Sequence, residues 1–279
     1  VFMDIEKVCL ITFSPTHTSR RVGEAIVQGI NGSEVSCVDV TLNGCGALRL
    51  EEDTVVVVTV PVYGGHVAPL ALERLKALES AGSPTVITVV YGNRAYEKAL
   101  EELDAFVSAR GFKVIAGGTF IGEHSYSTSV YPIAEGRPDA GDLEYAESFG
   151  AKVRTKIMSA PAPDKLYGVD VRRILRPRQP FFPLFRFLRK MVKLRKSGVV
   201  MPRVPVVDAT KCTHCGYCSG HCPNGAIVKG DECNTLADRC IRCCACVKGC
   251  PQQARVFETP FSPLLSGCFT RPKENRIIL

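Results

Sequence analysis

The stretch KVCLITFSPTHTSRR, residues 7–21, sets the terms for the first half of the chain. It opens with a short apolar run, KVCLITFS (7–14), that ends in small polar residues, as a buried strand does. Val22, Ala25, Ile26 and Ile30 then recur at helical spacing, and Asn31-Gly32 supplies a helix stop. Between strand and helix, Ser14, Thr16, Thr18 and Ser19 place four hydroxyls among the free N–H groups of a helix start. A simple N-cap needs only one. Four suit a phosphate monoester, held by hydrogen bonds and by the positive end of the helix dipole.

The alternation continues to residue 160. EVSCVDV (34–40) reads as an outer strand, whereas TVVVVTVP (54–61) is β-branched and apolar on both faces, as in a central parallel strand covered by helices. Leu70, Leu72, Leu75 and Leu78 predict a helix ended by Gly82. PTVITVVYG (84–92) is another buried strand, helical periodicity runs from Ala95 to Gly111, and FKVIAGGTFIG (112–122) supplies a fifth strand. PDAGDLEYAESFGAKVRTKI (138–157), opened by Pro and Asp, forms a last helix. Five strands with helical crossovers predict an α/β fold: an open, doubly wound, five-stranded parallel sheet over residues 1–160.

Regularity fails over 161–204, where APAP and further prolines break any long helix. Within this Pro-rich linker, FFPLFRFLRKMVKLRK (181–196) interleaves aromatic and aliphatic residues with bases. Such a helix can lie on a membrane or dock a partner. The preferred reading is a linker whose aromatics pack between two domains while its charges face water, because only one such element is present. Net charge is +7, unevenly spread. Residues 1–160 carry 14 bases against 20 acids, residues 161–203 carry 12 against 2, and residues 204–279 carry 9 against 6. The excess belongs to the linker, so nucleic acid is not an expected partner.

Eight of the fourteen cysteines fall into two runs of the same spacing, CTHCGYCSGHCP (212–223) and CIRCCACVKGCP (240–251). In C-x2-C-x2-C-x3-C-P, three thiolates close around one cubane, and the fourth, carried away by its proline, ligates the other. Cys212, Cys215, Cys218 and Cys250 are thus expected to hold one [4Fe–4S] centre, and Cys240, Cys243, Cys246 and Cys222 the second. Zinc also uses C-x2-C pairs but has no use for a third evenly spaced cysteine followed by Cys-Pro, twice. Cys244 breaks the spacing and is a bystander; His214 and His221 are loop residues; Cys9, Cys37, Cys45, Cys233 and Cys268 are small apolar fillers. This region, 205–260, forms a small α+β domain and leaves a C-terminal tail over 261–279. Reduced thiolates point to a cytoplasmic setting. The first residues carry acids where a secretory signal carries bases, and no apolar run approaches the ~20 residues of a bilayer span.

Open α/β sheets bind ligands at the carboxyl ends of their strands. No G-x-G-x-x-G or G-x-x-x-x-G-K-[ST] occurs, which speaks against a dinucleotide or a nucleoside triphosphate. Strand three ends in PVYGGHVAP (61–69) and strand four in VYGNRAYEKAL (90–100), so a repeated Val-Tyr-Gly puts two tyrosines and approachable backbone on one rim. A flat aromatic isoalloxazine suits such a rim. Beside a phosphate loop at the switch point, the set makes an FMN site.

The 14–21 loop resembles the flavodoxin phosphate loop, with His17 at the glycine position. Residues 211–257 resemble the bacterial two-cluster ferredoxins throughout. With GEHSYS (122–127) and EGRPDAGDL (135–143), nearly the whole chain resembles the flavodoxin–ferredoxin fusion proteins, single-chain electron carriers of anaerobes. The resemblance implies FMN at Ser14, Thr16, His17, Thr18 and Ser19, at Val62, Tyr63, Gly64 and Gly65, and at Tyr91, Gly92, Asn93, Arg94 and Tyr96. Glu123-His124-Ser125 either flanks the flavin or forms the domain interface.

The expected function is electron relay between two [4Fe–4S] clusters and FMN, fed by a partner ferredoxin or reductase, with no catalytic acid or base required. One alternative is a flavin-dependent oxidoreductase acting on a small organic substrate or quinone, with His66 or His124 over the ring. Another is an electron-transfer subunit that docks a larger complex through its basic segment. A homo-oligomer is compatible with each.

Overall fold

A computed structural model describes residues 5–162 and 165–279. The α/β half begins with β1 (Lys7–Thr12), α1 (Thr18–Ile30), β2 (Glu34–Asp39), β3 (Leu48–Leu50), β4 (Thr54–Tyr63), β5 (His66–Val67) and α2 (Pro69–Arg74). It continues with β6 (Leu78–Ser80), β7 (Pro84–Tyr91), α3 (Ala99–Ser108), β8 (Lys113–Ile121) and α4 (Ala140–Met158). After a 3-10 turn at Val171–Arg173 come α5 (Phe181–Lys196), β9 (Val206–Val207), α6 (Tyr217–Gly220) and α7 (Ala245–Lys248). Then β10 (Arg255–Val256), α8 (Phe261–Cys268) and β11 (Arg276–Ile278) close the chain.

The main sheet has the order β11-β8-β7-β4-β1-β2. Its five long strands are all parallel, with Thr12 paired to Thr59 across β1 and β4 and Pro61 to Val90 across β4 and β7. Numbered among themselves, they run 2-1-3-4-5, the flavodoxin-like order. The apolar run of β4 lies at the centre because both its faces are covered. Val56, Val58 and Val60 pack with Leu100 and Leu103 on one side, while Val57 packs with Leu10, Ile26 and Phe149 on the other. Helices α1 and α4 meet through two glycines. A Cβ on Gly29 would lie 1.9 Å from the Glu147 carbonyl, and one on Gly150 would lie 2.1 Å from that of Ile26.

Two expectations need correction. The helix predicted through Leu78 to Gly82 stops at Arg74, and Leu78–Ser80 pairs as a strand with β3. Leu75 and Leu78 are both fully buried, so an inward leucine capping α2 and another opening β6 imitate helical spacing. The supposed tail, 261–279, is built into the molecule: α8 is followed by β11, antiparallel on the edge of β8. Asn275 pins it there, its Oδ1 accepting from Ile121 N at 2.9 Å and its Nδ2 donating to Asp142 Oδ1 at 2.7 Å.

The 181–196 segment is helical and packs on α8 through Leu184, Phe187, Met191 and Leu194. Residues 205–257 form the small α+β unit, in which β9 pairs antiparallel with β10. Among the described residues no helix is long and apolar enough to cross a membrane.

Candidate cluster cradles and flavin rim

The two cysteine runs take the same backbone course. Positive φ falls at matching positions: His214 and Arg242, Gly216 and Cys244, Gly225 and Gln253. Cys244 therefore occupies the left-handed turn filled by glycine in the first run, before α7 as Gly216 is before α6. Each turn bends the chain so that cysteines face inward. Cys212, Cys215, Cys218 and Cys250 line one cavity. Cys222, Cys240, Cys243 and Cys246 line another. Backbone amides already aim at the fourth ligands, with Ala226 N donating to Cys222 Sγ at 3.2 Å and Ala254 N to Cys250 Sγ at 3.3 Å.

Arg255 is a residue that spacing alone did not single out. It is buried at 3% exposure, and Nη1 donates to Cys218 Sγ at 3.4 Å and to Glu232 O at 2.7 Å. Its Nε has no partner among the described residues, and no carboxylate there pairs with it. A buried guanidinium is costly unless opposed by negative charge. Four thiolates around iron supply that charge, so the cradle fits an anionic cluster. The only sequence signal was a base five residues after Cys250. Burial pushes the Cys243 thiol up to about 12 and the Cys246 thiol to about 11. The metal-free chain holds both as neutral thiols, and metal binding must release their protons.

The loops expected to hold flavin all lie at the carboxyl end of the parallel sheet, where such folds bind ligands. At α1, His17 has φ 62°, the left-handed conformation that glycine would supply. Ser14 Oγ accepts from Arg20 N at 3.0 Å, and Thr16 and Thr18 hydroxyls lie 3.5 Å apart. Ser19 Oγ is buried with no partner among the described residues, and the first turn carries no acid. An unpaired buried hydroxyl beside open helix amides fits an anion. Beyond β4, Gly64 has φ 64° and open space where a Cβ would stand. Val62 and Tyr63 are partly buried there, with Gly65 beneath.

The 91–96 loop differs from expectation. Tyr91 and Tyr96 are each 3% exposed, and their rings meet edge-on at 5.5 Å inside the core. Tyr63 is therefore the rim tyrosine, not one of two. Asn93 is buried and turned toward the C-terminal segment. Its Nδ2 donates to Phe269 O at 2.7 Å and Arg271 O at 3.1 Å, and its Oδ1 accepts from Lys273 N at 2.8 Å. Arg94 pairs with Glu97 and stands over the Phe187 ring at 5.8 Å. Gly92 is needed because His124 lies against it: a Cβ would meet His124 Cδ2 at 2.4 Å.

The 123–125 loop belongs to the interface between the two halves. Glu123 pairs with Lys248, and Arg74 donates to the Pro223 carbonyl. Tyr126 packs against Phe257 at 5.2 Å, and Ile241 reaches the rim of the sheet core. Burial, with Lys248 and Arg94 nearby, lowers His124 to about 4, so it is neutral at physiological pH. His66 lies elsewhere, exposed and paired to Glu102. Burial first, then the charges of Cys243 and Cys244, holds the Tyr63 phenol well above its ordinary range. Ile241, which lines the second cysteine cavity, packs against the core that Tyr63 borders, so this cavity adjoins the sheet domain. Cys233 also approaches the first: its Sγ, Cys212 Sγ and a His214 ring nitrogen lie within 4.8 Å of one another.

Residues 205–228 match the 4Fe-4S binding domain family. No curated protein matches the chain. Among solved structures, a flavodoxin from the domain Archaea is 12% identical with TM-score 0.36, covering 54% of this chain and 98% of that one. A flavodoxin from Streptococcus pneumoniae TIGR4 is 13% identical with TM-score 0.36, covering 54% and 99%. Rubredoxin oxygen:oxidoreductase from Desulfovibrio gigas is 13% identical with TM-score 0.37; 55% of this chain is covered but only 37% of that one. The strand order and the cysteine cradles therefore define the chain: a flavodoxin-like sheet joined to an iron–sulfur domain.

Proposed function

We propose that this protein relays electrons between two [4Fe–4S] clusters and a bound FMN within one chain, in the manner of flavodoxin–ferredoxin fusion proteins. The observation that carries the reading is Ile241, which lines the second cradle and packs against the core of the sheet domain, the same core that Tyr63 borders at the end of β4. Iron–sulfur clusters exchange single electrons, while flavin accommodates one or two, so the pair joins one-electron and two-electron chemistry.

The chain's own contribution is placement. Cys212, Cys215, Cys218 and Cys250 would hold the outer cluster, beside exposed Cys215 and open to a docking protein. Cys222, Cys240, Cys243 and Cys246 would hold the inner one, whose lining residue Ile241 packs against the sheet core. Arg255 offsets negative charge at the first cradle. Ser14, Thr16, Thr18, Ser19 and the α1 amides would take the phosphate, and the 62–65 backbone would face the ring edge. The Glu123–Lys248 pair and the Arg74–Pro223 contact fix the separation. The electron source and acceptor are redox proteins, a ferredoxin or reductase among them.

Anaerobic purification with iron, sulfide and flavin quantitation tests the reading. Roughly eight iron and one FMN per chain are expected. Zinc in place of iron, or a chain that takes up no flavin, overturns it.

A further inference from the structure

Helix α5 has two apolar faces, of which the molecule uses one. Leu184, Phe187, Met191 and Leu194 pack against α8. Phe181, Phe185, Leu188 and Val192, spaced by four, three and four residues, form a second stripe left in solvent. Their exposures are 76%, 58%, 52% and 51%, and Phe182 beside them is 80% exposed. Over these residues the stripe runs for about 16 Å at 1.5 Å per residue. Isolated exposed apolar residues are normal, but a contiguous ridge marks a site of contact.

The charge on the same helix says what kind. Phe181–Lys196 carries six bases and no acid. Indeed no acid occurs anywhere between Asp170 and Asp208. Arg189, Lys193 and Lys196 are exposed and follow stripe residues by one to four positions, so they flank the ridge on its outer side. The chain continues into Val199 and Val200, 49% and 87% exposed. A protein partner would have to present an acidic patch shaped to this ridge. Bases of one sign along an apolar ridge match a surface of diffuse negative charge with an apolar layer beneath, which is an anionic bilayer.

We propose that α5 lies in the plane of an anionic membrane surface, with Phe181, Phe185, Leu188 and Val192 in the acyl boundary and the flanking bases among the headgroups. The α8 face then carries the rest of the molecule above the lipid. This does not depend on the electron-relay reading.

Flotation of the iron-loaded full chain with phosphatidylcholine vesicles, with and without phosphatidylglycerol, tests it. Binding is expected only where the anionic lipid is present, and it should weaken with salt. Two variants separate the contributions, F185S/L188S for the ridge and R189E/K193E for the border. Each should weaken vesicle binding by about tenfold or more. Their iron content should equal that of the parent, since all four side chains are exposed. The chain has no tryptophan, so in F185W the fluorescence reports this site alone and should shift to the blue on anionic vesicles. Failure to float, flotation unchanged in F185S/L188S, or no blue shift overturns the proposal. So does retention by an acidic protein without vesicle binding.

Discussion

Ser19 and Arg255 both carry buried polar atoms without partners among the described residues, and each forecasts a different bound anion. Removing the Ser19 hydroxyl should have effects of opposite sign. Without flavin, Ser19→Ala deletes an unsatisfied buried group and should leave stability unchanged or raise it by up to ~1 kcal/mol. With flavin, it loses a hydrogen bond to a charged phosphate, worth about 1.5–3 kcal/mol, so FMN affinity should fall at least tenfold. Apo thermal melts and an FMN titration read the two halves, and an unchanged affinity would remove Ser19 from the phosphate site. For Arg255→Met, deletion of a buried positive charge and of the donor to Cys218 Sγ should lower the reduction potential of one cluster only. Potentiometry by electron paramagnetic resonance should show one centre displaced and the other unmoved. The hydroxyl cluster of Ser14, Thr16, Thr18 and Ser19 stood out in the sequence because four hydroxyls at one helix start are out of proportion to a cap. Arg255 did not, because a lone base near a motif has no period and no spacing rule; only burial singles it out.

At the scale of elements, the strands were legible because a central parallel strand must be apolar on both faces, and Val55–Val58 in β4 shows no polar interruption. Short or returning elements carried no such signature. The three-residue β6 is too brief to alternate, and β11 reads as a terminus until β8 is seen to lack a neighbour. The same return explains Asn93, which a motif reading gives to flavin. Its side chain satisfies Phe269, Arg271 and Lys273 backbone groups, and this holds the approach to β11 against the end of β7. Asn93→Ala leaves those groups unpaired, and the expected cost is about 2–4 kcal/mol, from more than one lost buried hydrogen bond. Thermal melts with and without FMN distinguish the roles. A clamp lowers the midpoint by a similar amount in both, and a drop confined to the flavin-loaded protein would return Asn93 to the cofactor.

At the scale of the whole molecule, the order of cysteines along the chain and their order in space disagree, and the disagreement has a consequence. Cys250 closes the second run yet lines the cavity of Cys212, Cys215 and Cys218, whereas Cys222 closes the first run and lines the cavity joined to the sheet core through Ile241. If sequence neighbours acted together, Cys250→Ala would injure the centre beside the flavin rim and Cys222→Ala the outer one. The structure reverses this. Either variant should reduce iron from roughly eight to roughly four atoms per chain. Cys250→Ala should keep the inner cluster, and with it flavin reduction by a small soluble one-electron donor that can reach that cluster. Cys222→Ala should keep only the outer cluster and lose most of the flavin reduction rate, since the remaining centre sits in the cradle whose lining includes no described residue packed on the sheet core. Stopped-flow measurement at the flavin absorbance, on protein of known iron content, decides between the two. Faster flavin reduction in Cys222→Ala than in Cys250→Ala would mean that electrons reach the flavin by a route that bypasses the inner cradle.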